Sequence, residues 1–142
     1  MAVRFARPVT NGPGPDIVFF EIHPLPSPAD GDAFHVSPLQ LTSGRKSHTI
    51  REYDLSVHSP EALPVTRMLV HESQRGDIES LAALEQAEFT LRPVRLEYRA
   101  LAVGIDLSDL GYAPGEEADG LFIQDADDND IYVDPVLIGG LP

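Results

Sequence analysis

A mainly β fold is what this sequence predicts: a β-sandwich of jelly-roll type carrying one short inserted helix at about residues 77–87. Three observations carry the prediction. Thirteen prolines among 142 residues, about twice the ordinary share, stand where helices could not continue. Short runs of β-branched and aromatic residues recur between Gly/Pro turn signals. Where polar and apolar residues alternate clearly, they do so with the period of two expected of a strand with one wet face. An open barrel is the alternative arrangement of the same strands.

Along the chain, "ARPVTNGPGPD" is turn chemistry, and "IVFFEI" after it predicts a buried strand from Asp16 to Ile22. "HPLPSPADGD" is a second proline-rich connection. Phe34 to Leu41 and Thr49 to Val57 are weaker strands around the loop "TSGRKSH", and "TRMLVHE" is a fourth short apolar run. In "RGDIESLAALEQAEF", Asp77 can cap a helix on which Ile78, Leu81 and Leu84 form one stripe. Next, Val94, Leu96, Tyr98 and Ala100 alternate with Arg95, Glu97 and Arg99, and "LAVGIDL" prolongs that strand with both faces apolar. "SDLGYAPGEEADG" is a loop, and "LFIQDADDNDIYVDP" reads as strand, acidic turn, strand. No repeat or linker interrupts residues 1–142, so one domain with one core is expected.

Charge and composition exclude several function classes. The formal net charge of −13 argues against nucleic acid, whose backbone is bound through Lys and Arg. No Lys or Arg follows Arg99, while ten acids from Asp106 to Asp134 do. With no cysteine there is no disulfide, thiolate nucleophile or zinc–thiolate site. No apolar run is long enough to span a bilayer as a helix.

The acidic stretch is the first candidate for chemistry. Against the EF-hand template, Asp125, Asp127 and Asn129 fit the first three ligand positions, but Asp130 stands where Gly is needed and Val136 where the bidentate Glu belongs. Two readings stay open: a looser calcium site using Asp125, Asp127, Asn129, Asp130 and Asp134, or the solvated turn of a hairpin in which Asp and Asn bond the local backbone. No cofactor is required; calcium is the one the sequence allows. Asp16 and Glu21 are an odd number of residues apart and point to opposite strand faces, so they cannot form a carboxylate pair. Asp16 is expected to hold the turn before it. Glu21 is expected either to meet an arginine or to join a site at the strand's end. The five histidines show no close metal spacing and are expected at the surface or on strand edges. No nucleophile elbow, phosphate loop or dinucleotide fingerprint occurs, so no catalytic residue is assigned and a non-enzymatic role is expected. "RGD" at 75–77 is explained by the capping role of Asp77.

Taken together, "VRFARPVTNGPGPDIVFFEI", "AVGIDLSDLGYAPGE", "LFIQDA" and "VDPVLIGGLP" resemble bacterial exosortase-sorted surface proteins, the group with a PEP-CTERM anchor. The resemblance implies an exported, extracellular or cell-surface β-sandwich with a matrix, envelope or adhesive role, and carries no catalytic residues. A signal peptide, an additional amino-terminal segment and an anchor belong to that pattern and are not in this chain, so a missing edge strand is expected, which a second copy or partner could supply. Polysaccharide and other surface proteins are the partners this implies. Two further classes remain: a calcium-stabilised carbohydrate-binding module, and a hydrolase using Glu21 with a second acid.

Overall fold

The computed structural model describes residues 1–24, 31–62, 64–73, 80–126, 133 and 135–142. Eight strands form two antiparallel four-stranded sheets. They are β1 (Ala2–Thr10), β2 (Ile17–Pro24), β3 (Phe34–Pro38), β4 (His48–Ile50), β5 (Pro64–Ser73), β6 (Phe89–Ile105), β7 (Glu117–Asp125) and β8 (Pro135–Gly140). The first sheet has the order β1-β7-β3-β4 and the second β5-β6-β2-β8. The expected β class is therefore found.

Both sheets contribute to one core. Ile17 and Phe19 of β2 and Val103 and Ile105 of β6 meet Phe34 and Val36 of β3 and Leu121 and Ile123 of β7. Each such side chain taken fully out of water contributes about 1.5–3 kcal/mol. Across the sheets, the Phe19 and Phe34 rings stack with centroids 4.4 Å apart. The alternation that produces this is plain in β2, where Ile17, Phe19, Glu21 and His23 face inward.

Several local expectations shift. Strand β1 continues through Pro8 to Thr10, into the segment expected to be turn. A proline is tolerated there because β1 is an edge strand and its pairing with β7 shifts register between Arg4 and Val9. The stretch from Leu121 to Pro135 is not a hairpin: β7 lies in the first sheet and β8 in the second, paired with β2. The described helix, α1 (Leu81–Glu85), is shorter than expected, and Ser80 Oγ accepts from Ala83 N at 3.1 Å in the manner of a cap. Asp77 and Ile78 lie outside the described residues. On β6, the inward residues beside β2 are Leu101, Val103 and Ile105, so the charged member Arg99 shares their face, directly opposite His23.

Asp16 does hold its turn. Its carboxylate accepts from Gly12 N at 2.6 Å and from Leu107 N at 2.9 Å, tying the β1–β2 connection to the 3-10 turn Leu107–Leu110 that follows β6. Leu141 N donates to its carbonyl oxygen at 2.7 Å, which brings in the end of β8 as well.

Candidate functional site

Strand β2 changes character along its inner face. Ile17 and Phe19 face the apolar core, and two residues further on the same face presents Glu21 and then His23, with residue exposures of 0% and 5%. Asp32, just before β3, completes the group at 2% exposure. The fourth member is Tyr53, whose ring lies edge-on to Phe19 and Phe34 with centroids 6.4 and 6.3 Å away. Gly31 makes room for it: a Cβ there would collide with the Tyr53 ring, and its φ of +104° disfavours any side chain.

Within the group, Tyr53 donates its hydroxyl proton to Glu21 Oε2 at 2.5 Å and lies 3.2 Å from the Asp32 carbonyl oxygen. Asp32 N donates to the same Glu21 oxygen at 3.4 Å. His23 Nε2 stands 3.5 Å from Glu21 Oε1 and 3.5 Å from Asp32 Oδ2. One donor atom from each of Glu21, His23 and Asp32 falls within 4.8 Å of the others. Neither carboxylate oxygen of Asp32 accepts a hydrogen bond, although both are buried.

The electrostatics follow from this crowding. Burial first, and then the neighbouring Glu21 charge, raise the Asp32 carboxyl above its ordinary value; His23 opposes the shift, while side-chain hydrogen bonding with Glu21 and the Asp125 charge add to it. Burial and the Glu21 carboxylate likewise push the Tyr53 phenol far up, so it remains a proton donor. The Arg99 guanidinium, opposite His23 in the β2–β6 register, donates to Ser59 O at 3.4 Å.

Of the five residues expected to bind calcium, only Asp125 belongs to the described residues; Asp127, Asn129, Asp130 and Asp134 lie outside them. Asp125 Oδ2 accepts from Val133 N at 3.0 Å. Asp125 also pairs with Phe34 across the β3–β7 ladder, which brings its charge close to Asp32.

Glu21 was expected at an arginine or in a site at the strand's end; among the described residues it meets His23, Asp32 and Tyr53. His23 corrects the expectation that the histidines lie on the surface: period two places it beside Glu21, facing inward. The signal was the spacing Glu21-x-His23 on one strand; comparing Glu21 with Asp16 missed it. Asp32 carried no comparable signal, because its approach depends on how the chain returns from β2 to β3.

No protein-family model, curated protein or solved structure matches this chain.

Chemically, two carboxylates, an imidazole and a phenol converge here away from water. Such a group can share a proton or surround a cation. A hydrolase needs its acids to face a cleft that substrate can enter. Surface grooves lie elsewhere, among them one of about 920 Å³ between the edge strands β1 and β8 and another on the second sheet near Phe20, Leu69 and Leu137.

Proposed function

We propose that this chain is a non-enzymatic β-sandwich of jelly-roll type from a bacterial surface protein, serving an envelope, matrix or adhesive role. The jelly-roll reading is supported by the winding of the strands. The first two strands lie in different sheets, and their partners β7 and β6 also lie in different sheets, so the outer pair wraps against a returning pair. The surface role is supported by the ordered series of sequence blocks resembling exosortase-sorted proteins, together with a balance of 23 acidic to 10 basic residues.

One observation carries the non-enzymatic part. The cluster in which ionisable groups converge has its three candidate donors, Glu21, His23 and Asp32, at 0–5% exposure, so no substrate reaches them in this conformation. Hydrolysis assays over a broad glycan and ester panel should give no turnover, and antibody should label intact native cells. Turnover that disappears in Glu21→Gln, or labelling only after lysis, would overturn the respective half of the proposal.

A further inference from the structure

We propose that Glu21, His23 and Asp32 hold a divalent transition-metal ion at the end of β2, with Zn²⁺ the best geometric match. In a tetrahedral shell with metal–ligand bonds of about 2.0–2.1 Å, neighbouring donor atoms stand about 3.3–3.4 Å apart. His23 Nε2 lies 3.5 Å from Glu21 Oε1 and 3.5 Å from Asp32 Oδ2, so two of the three edges are nearly in place, and the third is within 4.8 Å.

A second observation points to a ligand independently of that spacing. Asp32 is 2% exposed, and its two carboxylate oxygens accept no hydrogen bond. A carboxylate without donors in that setting is strongly disfavoured as an anion, and a metal ion is a partner that can engage its oxygens. A dication matches the two carboxylates in charge and takes the imidazole as a neutral ligand. The arrangement around the donors is also that of a ligand shell. Tyr53 Oη and Asp32 N both donate to Glu21 Oε2, which orients the carboxylate with Oε1 towards His23 Nε2.

The donor set chooses among metals. Ca²⁺ and Mg²⁺ take oxygen ligands and fill more positions, while an imidazole with two carboxylates suits Zn²⁺ and its neighbours. This site is separate from the acidic stretch after β7. Because Glu21 and His23 lie on β2 and Asp32 just before β3, metal binding would be coupled to folding of the chain that brings them together.

The test is titration of chelator-treated protein with ZnCl₂ and, separately, CaCl₂, followed by calorimetry and thermal melting. Zn²⁺ should bind one equivalent and raise the melting temperature on the order of 5–10 °C at hundredfold excess over Kd, with no such rise from Ca²⁺ at this site. Asp32→Asn should weaken Zn²⁺ binding at least about a hundredfold. In chelator this variant should melt no lower than wild type, since it removes a buried charge without hydrogen-bond donors, and the surface control Asp109→Asn should bind as wild type does. Co²⁺ in place of Zn²⁺ should give wild-type protein the intense visible bands of a tetrahedral centre. Absence of stoichiometric Zn²⁺ uptake, uptake unchanged in Asp32→Asn, or a preference for Ca²⁺ would overturn the proposal. Should Asp32→Asn fail to fold, the wild-type Co²⁺ spectrum decides, and its lack of tetrahedral bands is the overturning result.

Discussion

Tyr53 Oη lies 2.5 Å from Glu21 Oε2, a contact between residues 32 positions apart that joins the segment after β4 to the inner face of β2. It gives a buried carboxylate a donor. Because the phenol is held far from ionisation by burial and by Glu21 itself, the proton stays on Tyr53 and the hydrogen bond is charge-assisted.

Tyr53→Phe removes that donor and keeps the ring packed against Phe19, Phe34 and the Gly31 backbone. Losing a hydrogen bond to a buried charged group should destabilise the metal-free protein by about 1.5–3 kcal/mol. Urea unfolding at neutral pH reads this directly. A change within error would mean that the contact contributes nothing and Glu21 is satisfied by its other neighbours.

Asp16→Ala strikes a different junction. The wild-type carboxylate is the acceptor for Gly12 N and Leu107 N, and the residue is buried. Without it two backbone donors lose their partner, and the connection between β1, the 3-10 turn and β8 loosens together. A loss of about 3–5 kcal/mol is expected in denaturant titration. Asp16→Asn, which retains one acceptor oxygen, should fall between the two.

The Arg45–Glu116 pair makes a pH prediction. Arg45 donates to Glu116 Oε2 at 3.0 Å and to Gly111 O at 2.6 Å, while its guanidinium lies 3.7 Å from the Tyr112 ring centroid. Hydrogen bonding from Arg45, then from Ala113 N, holds the Glu116 carboxyl below its ordinary value of 4.5. A depressed folded value means that the unfolded chain takes up the proton first on acidification. The stabilisation from Glu116 should thus be complete above about pH 4.5 and vanish as pH falls through the lowered folded value. Melting temperatures of wild type and Glu116→Gln compared across that range should converge at the acid end; a gap independent of pH would rule out the carboxylate as its source.

Much of the architecture was legible in the residues. Proline and glycine punctuation marked off "IVFFEI" and "TRMLVHE", and each lies in a strand, because a run of β-formers between residues that cannot continue a helix has few other conformations; "LAVGIDL" prolongs its strand as far as Ile105. Asp16 was legible as a turn residue for the same local reason. The Leu121–Pro135 stretch was misread as a hairpin because an acidic turn between two strands carries the same composition whether the strands pair or part into different sheets. Arg99 was placed on a wet face for want of the β2–β6 register, which puts it opposite His23.

Local patterning thus sufficed for the β class, for strands such as β2 and β5 and for the acidic carboxyl-terminal third, since these follow from side-chain shape, backbone restriction and charge counted along the chain. The Glu21–His23–Asp32–Tyr53 cluster is of another kind. Glu21 and His23 become partners by alternation on β2, but Asp32 and Tyr53, from positions further along the chain, reach them only in the tertiary structure. Burial, proximity and the missing donors at Asp32 are properties of that packing, and they exist only once the two sheets have closed on a common core.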